Sequence, residues 1–539
     1  MQIEANYVDI QNKTIYPAHI EIKNNKIASI TKIDKECNNY ILPGFVDAHI
    51  HIESSMLIPS EFARVAVLHG SVATVSDPHE IANVNGIEGV EFMIANANKT
   101  PFHFFFGASS CVPATPFESS GATLDVEAIQ TLLKHKEINH LGEVMAFPNV
   151  INGDEELLAK IKAAKDAGVV VDGHAPMLRG EDLQKYIDAG ITTDHEASSY
   201  EEAKEKIERG MKILIREGSA AKNYEALHPL IAKFPNDLMF CSDDKHPNDL
   251  VHGHINELVK RSIANGYDLF DTLRIASLNP IEYYNLDVGK VQVGDSADFI
   301  LVKDLENFEV LQTVIAGEVV AQDGKTLLPN IEQKAINNFH ATKTTPKDLE
   351  FFVENDTLRV IEAFDGELFT KEKIYQTNIT GNFSSDIQED ILKITVLNRH
   401  ANTPIAIGFI YGFGLKEGAI ASSIAHDSHN IIAVGVDDES ISKAINTIIN
   451  SQGGVCALNK TTTKHLPLSV GGIMSNEDGF EVAKKYDAID NFAKQTLGST
   501  LKAPFMTLSF MALLVIPELK LSDKGLFDGR VFDFCSVKA

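Results

Sequence analysis

Residues 1–40 alternate apolar and polar positions: Ile15, Ala18, Ile20 and Ile22 run into Lys23-Asn24-Asn25-Lys26, and Ile27 and Ile30 follow. A side-chain period of two broken by an Asn-Asn turn is the pattern of a β-hairpin. The same texture returns at 288–325, in Gly289-Lys290-Val291, Phe299–Val302 and Val314–Val320. Neither segment is long enough to make a stable sheet alone, so 1–40 and 286–329 are expected to pair as one small composite β-domain. Between them, residues 41–285 alternate short apolar runs with amphipathic stretches such as Asp154–Ala167 and Tyr200–Arg209. The runs are Ile41–Val46, Val72–Val75, Phe102–Phe106, His140–Met145, Val169–Val171, Ile191–Thr193, Met211–Ile215 and Leu238–Phe240. Eight strand–helix units in about 250 residues have the size of a (β/α)8 barrel. After Pro329 the texture changes again. Ile405–Gly414 and Ile431–Val436 read as strands, Ser440–Asn450 and Ala483–Thr496 as helices, so 330–539 is expected to be an additional C-terminal α+β domain.

In such a barrel, chemistry sits at the C-terminal ends of the strands. The residues that follow each run are therefore the candidates. Strand one ends in His49-Ile50-His51, strand two in Asp77-Pro78-His79-Glu80, strand four in Gly142-Glu143, strand five in Asp172-Gly173-His174, strand six in Asp194-His195-Glu196 and strand eight in Ser242-Asp243-Asp244. His49 and His51 share a face because side chains alternate along a strand. Alone, that pair suits a polar rim as well as a metal. Together His49, His51, Glu143, His174, His195 and Asp243 would converge on one point. Neutral imidazoles with two carboxylates suit Fe²⁺, Mn²⁺ or Zn²⁺. A carboxylate able to bridge two cations fits a site for two divalent metal ions.

Composition narrows the picture. Hydrophobic residues make up 44% and charged residues 23%, as in a globular protein. A net charge of -27 disfavours nucleic acid, whose phosphates would be repelled. The five cysteines lack CxxC spacing, which fits a reducing compartment and gives no zinc-finger or disulfide framework. The N-terminal residues Met1-Gln2-Ile3-Glu4 do not read as a signal peptide. The longest apolar stretch, Phe505 to Ile516, is too short to span a bilayer and reads as a buried strand or helix. A cytoplasmic protein without a membrane partner is expected.

The order HxH, carboxylate, His, His, Asp on a barrel flanked by a composite β-domain resembles the amidohydrolase superfamily. Within it, the stretches LPGFVDAHIHIESSM, TVSDPHEIANVNG, LGEVMAFPNV, DGHAP, TTDHE, FCSDDKHP and IASSIAHDSHNIIAVG resemble the adenine deaminase family, almost end to end. The fold implied is α/β: a (β/α)8 metal-dependent hydrolase barrel with a small composite β-domain and an additional C-terminal α+β domain. Two features depart from better-known members of the superfamily. Glu143 stands where many carry a carbamylated lysine, and looks like this family's bridging ligand. No glutamate follows His174, where other purine and pyrimidine deaminases place a ring-protonating acid.

The resemblance implies hydrolysis of adenine to hypoxanthine and ammonia by attack of a metal-activated hydroxide at C6, with Mn²⁺ or Fe²⁺ as the expected metals and Zn²⁺ as a third choice. Asp243 is then both ligand and proton acceptor. His79 and Glu80 are the candidate catalytic acids, unless Pro78 and Glu80 only open a helix. Asp244 resembles an aspartate that contacts the purine imidazole ring; the alternative is a solvated loop carboxylate. Arg216 and Glu217, at the end of strand seven, are expected to form a structural ion pair with each other, with contact to substrate as the alternative. His426-Asp427-Ser428-His429 reads as a polar turn first, and as a third metal site or a lid second. A cyclic-amide hydrolase, a deacetylase on the same barrel and a non-catalytic barrel are the competing functions. The lysine expected of the first is missing, and none of the six ligand positions is. A homo-oligomer is expected.

Overall fold

The computed structural model describes residues 1–539. The two chain segments with β texture interleave in one eight-stranded sheet. Its order is Lys325–Thr326, Glu318–Gln322, Val310–Ile315, Phe299–Val302, Tyr40–Pro43, Gln2–Asp9, Thr14–Lys23 and Lys26–Lys32. Asn24 and Asn25 take φ of 50° and 63°, as a two-residue hairpin turn with both residues left-handed requires. Ile41 and Leu42, read in the sequence as the start of the first barrel strand, pair instead with Tyr7 and Ile300 in this sheet. The chain then passes through Pro43-Gly44, and a Cβ at 44 would lie within 2.6 Å of Val72 Cγ2, so glycine is needed where the two sheets meet.

The barrel strands are β1 (Phe45–Ile50), β2 (Ser71–Ser76), β3 (His103–Ala108), β4 (Ile138–Val144), β5 (Val170–Gly173), β6 (Thr193–Asp194), β7 (Lys212–Arg216) and β8 (Leu238–Cys241). β1 to β5 form one parallel arc and β6 to β8 another. The Thr192 N–H donates to Val171 O (3.2 Å) at one seam. At the other, the Asp243 N–H donates to His49 O (2.9 Å) and the His51 N–H to Asp243 O (3.3 Å). The hydrogen bonds at this second seam are thus made by three of the candidate ligand residues.

The C-terminal region carries a second eight-stranded sheet, in the order Thr370–Gln376, Thr357–Ala363, Ala406–Tyr411, Leu392–Leu397, Ile431–Gly435, Ala419–Ser422, Gly454–Leu458 and Thr463–Pro467. The helix Asp438–Ser451 lies on it, capped by the Asp437 carboxylate accepting from the Ser440 N–H at 2.7 Å. A second helix, Gly479–Gln495, packs toward the barrel, where the Tyr486 hydroxyl meets His246 Nδ1 at 2.6 Å. One cluster of 99 buried apolar residues runs through both barrel and C-terminal region, so the added domain shares its core with the barrel. The apolar stretch at Phe505 begins with a buried helix, Pro504–Phe510, that brings Phe510 and Leu513 over the barrel mouth. No helix is long and apolar enough to cross a membrane.

Candidate metal centre at the barrel mouth

Strand alternation and the ring closure bring His49, His51, Glu143, His174, His195 and Asp243 to one buried point. One Glu143 oxygen lies 3.2 Å from His51 Nε2; the other lies 2.8 Å from His174 Nδ1 and 3.2 Å from His195 Nε2. The carboxylate therefore spans two groups, His49–His51 and His174–His195. Asp243 lies 3.3 Å from His51 Nε2 and 3.7 Å from His49 Nε2. Two of these five separations exceed an ordinary hydrogen bond, and the convergence of all the atoms suits groups that share a cation. The buried nitrogens His49 Nε2 and His174 Nε2 have no hydrogen-bond partner in the protein. Burial and the nearby His195 hold the His49 imidazole well below its usual pKa, in the neutral form that binds metals. Against burial, His174 and His195 hold Glu143 well below the usual carboxylate range. The donor set fits divalent metal.

The surrounding shell orients these groups. His51 Nδ1 sits 2.9 Å from Asp77 O, which turns Nε2 toward the centre. Asp77 Oδ2 accepts from the Glu143 N–H (2.9 Å) and Oδ1 from Ser109 Oγ (2.8 Å). A Cβ at Gly142 would lie within 2.5 Å of the Asp77 carboxyl carbon, so glycine is required where this carboxylate presses on β4. Asp47, a buried residue of β1, accepts from the Ser242 N–H (3.0 Å) and meets His254 Nε2 at 2.7 Å, fixing the approach to Asp243. Asp243 itself has φ of 54°, a left-handed backbone uncommon outside glycine.

Arg216 does not pair with Glu217. Its guanidinium grips both oxygens of Glu196 and donates to Asp243 Oδ2 at 2.6 Å, whereas Glu217 meets Arg261 on the outside. Sequence reasoning expected the adjacent pair, but Arg216 ends a strand, where side chains i and i+1 point to opposite faces. Against burial, Arg216 and His51 hold Asp243 well below the usual range. Glu196 has no assigned role in the sequence reading, although it follows the candidate ligand His195 just beyond β6. The strand-end rule was the signal that could have found it.

His426-Asp427-Ser428-His429 is not a solvated turn. All four residues are buried against the barrel mouth, between the C-terminal strands Ala419–Ser422 and Ile431–Gly435. Asp427 lies 3.5 Å from His79 Nε2 and 3.6 Å from His426 Nδ1, and Ser428 Oγ donates to Glu118 Oε2 at 2.7 Å. Against burial, the Asp244 and Glu80 carboxylates raise His426 to about 9. Together with Leu368, Phe510 and Leu513, His426 and Asp427 roof a cleft whose floor is the candidate metal-ligand cluster. Asp244 and His79 also line it. Glu80 does not: it lies behind, with Oε1 2.8 Å from Ser54 Oγ, and the same hydroxyl sits 2.5 Å from Asp244 Oδ1, so its single proton links the two carboxyl groups.

Two family models match the chain: the amidohydrolase family over residues 40–320, and the adenine deaminase C-terminal domain over 367–533. Among similar sequences, the adenine deaminase of Sulfurovum sp. (strain NBC37-1) is 59% identical over 99% of both chains. That of Borreliella burgdorferi is 52% identical over 99% of both. The Salinibacter ruber adenine deaminase is 50% identical over 99% of this chain and 98% of its own. A solved β-aspartyl dipeptidase from Fervidobacterium islandicum is 17% identical and covers 61% of this chain and 98% of its own, with a TM-score of 0.47. With both family models matched and these identities sustained end to end, the chain belongs to the adenine deaminase family of the metal-dependent amidohydrolases.

Proposed function

We propose that this protein hydrolyses adenine to hypoxanthine and ammonia. Full-length similarity to adenine deaminases supports the substrate. The observation that carries the chemistry is the Glu143 carboxylate spanning two histidine groups beneath the cleft roofed by the C-terminal domain. His49, His51, Glu143, His174, His195 and Asp243 would hold two divalent cations, with Mn²⁺ or Fe²⁺ as the working metals and Zn²⁺ also suited to the donor set. When bound, such ions supply Lewis acidity that brings the pKa of water toward neutrality.

The residues of the chain do the rest. Met145, Leu368, Phe510 and Leu513 wall the cavity with apolar surface and exclude water around a planar base. Asp244, steadied by Ser54, accepts a hydrogen bond from a purine ring N–H. Asp243, held by Arg216, accepts the proton that the attacking water gives up as its oxygen bonds to C6. His79, on the opposite wall and flanked by Asp77 and Asp427, delivers a proton to the ring nitrogen N1. The C6–N bond then breaks, the amino group leaves as ammonia with the proton from Asp243, and the remaining hydroxyl proton returns to His79 as the C6=O bond forms. Oxygen enters, nitrogen leaves, and one water is consumed for each adenine.

The test is turnover of free adenine by metal-depleted, reloaded protein, followed by ammonia release and by the absorbance change to hypoxanthine. Turnover restored by Mn²⁺ or Fe²⁺ and lost in Glu143→Gln and Asp243→Asn is expected. Folded, metal-loaded protein that leaves adenine untouched would refute the proposal.

A further inference from the structure

The mechanism leaves one buried cluster unused: Glu80, His426 and His429. The barrel contributes Glu80 from the first turn of the helix His79–Ala97, and the C-terminal domain contributes both histidines from one loop. All three are buried, His429 and Glu80 completely. Neither ring nitrogen of His429 has a hydrogen-bond partner in the protein, and the same holds for His426 Nε2 and Glu80 Oε2. Leaving such groups unmet costs about 1–3 kcal/mol each, and native interiors rarely tolerate it without a water or an ion.

The spacing separates an ion from a plain salt bridge. His426 Nδ1 lies 3.4 Å from Glu80 Oε1, and His429 Nε2 lies 3.9 Å from Glu80 Oε2. One ligand atom from each of the three residues falls within 4.8 Å of the others. These distances are long for hydrogen bonds. They parallel the 3.2 Å from His51 to Glu143 and the 3.7 Å from His49 to Asp243 in the main centre. Ligand bonds of about 2.0–2.2 Å in a tetrahedron separate neighbouring ligand atoms by roughly 3.3–3.6 Å, so a small inward shift of His429 completes the set. A salt bridge of Glu80 with His426 alone would leave both nitrogens of His429 unmet.

We infer that Glu80, His426 and His429 form a further cation site, distinct from the main centre and suited by its two imidazoles and one carboxylate to Zn²⁺ or a similar divalent ion. Asp427 and Asp244, 3.6 and 3.9 Å from His426, add negative charge on the cavity side; the positive group on the other side is Arg399. The ion ties the C-terminal domain to the barrel behind the cavity and fixes the loop that presents His426 and Asp427 to substrate. It also engages Glu80, which leaves His79 as the acid facing the cavity.

The experiment is a metal count on full-length protein, depleted of metal, saturated with Zn²⁺, desalted and measured by elemental analysis. His429→Ala is expected to hold one equivalent per chain fewer than the wild type, whatever number the main centre takes, so the result does not depend on the adenine reading. Equal counts in the folded variant would overturn the inference. Because replacing a buried histidine can disturb folding, wild-type crystals soaked in Zn²⁺ give an independent reading. Anomalous density among the three side chains, about 2.0–2.2 Å from each, is expected. No density there at saturating Zn²⁺ would overturn it.

Discussion

Lys206 is fully buried on the helix Tyr200–Glu208, and its ammonium joins the two loops that carry His174 and His195. It donates to Ala175 O (2.7 Å), to Asp194 Oδ2 (2.9 Å) and to Glu202 Oε1 (2.8 Å). Asp194 in turn accepts from the N–H groups of Ala175 and Ala197, both at 2.9 Å. Lys206→Met keeps the volume and removes the charge. Two buried carboxylates then lose their counterion, a loss of about 3–5 kcal/mol. Unfolding entropy of about 2.1 cal/mol/K per residue gives roughly 1.1 kcal/mol/K for 539 residues melting as one unit, which the shared core supports. The expected fall in Tm is therefore only about 3–4 °C. The larger effect is on the metal, because Ala175 and Asp194 adjoin two ligands. Loss of such a support lowers metal affinity roughly 10- to 100-fold. Calorimetry of the metal-free protein and competition with a chelator measure the two separately. Wild-type Tm and wild-type metal affinity in Lys206→Met would refute the argument that this ammonium fixes the histidine loops.

Gly142→Ala forces the Asp77 carboxylate away from the Glu143 N–H; a loss of metal affinity of roughly 10-fold or more is expected, read by chelator competition. Phe510→Leu trims the cavity roof where Phe510 stacks on His426 at 5.2 Å. Loss of about 1 kcal/mol of ring contact raises KM for adenine roughly 5-fold, with a smaller change in kcat, in steady-state kinetics. Glu118 is pushed up to about 8 by burial and by the charge of Asp427. Unfolded, it titrates near ~4.3, so between that pH and 8 only the unfolded chain gains by losing the proton. Its contribution therefore makes stability fall as pH rises through that window and level off above it. Glu118→Gln removes the slope, and denaturation at pH 5, 6.5 and 8 is expected to show the variant gaining on the wild type; parallel curves would refute the assignment.

Period and position made much of this architecture legible in the chain. The hairpin turn at Asn24-Asn25, the eight apolar runs of the barrel and the strand-end location of His49, His51, Glu143, His174, His195 and Asp243 all follow from local rules, because alternation fixes which side chains share a face. Where those rules conflict with long-range pairing they fail. Ile41 and Leu42 look like barrel strand, yet the edges offered by Gln2–Asp9 and Phe299–Val302 capture them. Arg216 and Glu217 are adjacent in sequence but point to opposite faces, so Arg216 meets Glu196 and Asp243 instead.

The cavity roof lies furthest from what the chain reveals. His426 and Asp427 stand among polar residues that read as a turn, and nothing local marks them as buried. Only the docking of the C-terminal domain, through a continuous apolar core and the grip of Ser428 on Glu118, removes their water and sets them against His79, Glu80 and Asp244. The sequence by itself determined the fold class, the kind of chemistry and the six strand-end positions that converge, since these rest on periodicity and residue type. The tertiary structure alone decided which carboxylate spans the two histidine groups, which arginine holds Asp243 and which domain closes the site. Those depend on contacts between residues tens to hundreds of positions apart, whose energies come from burial and desolvation that no local pattern encodes.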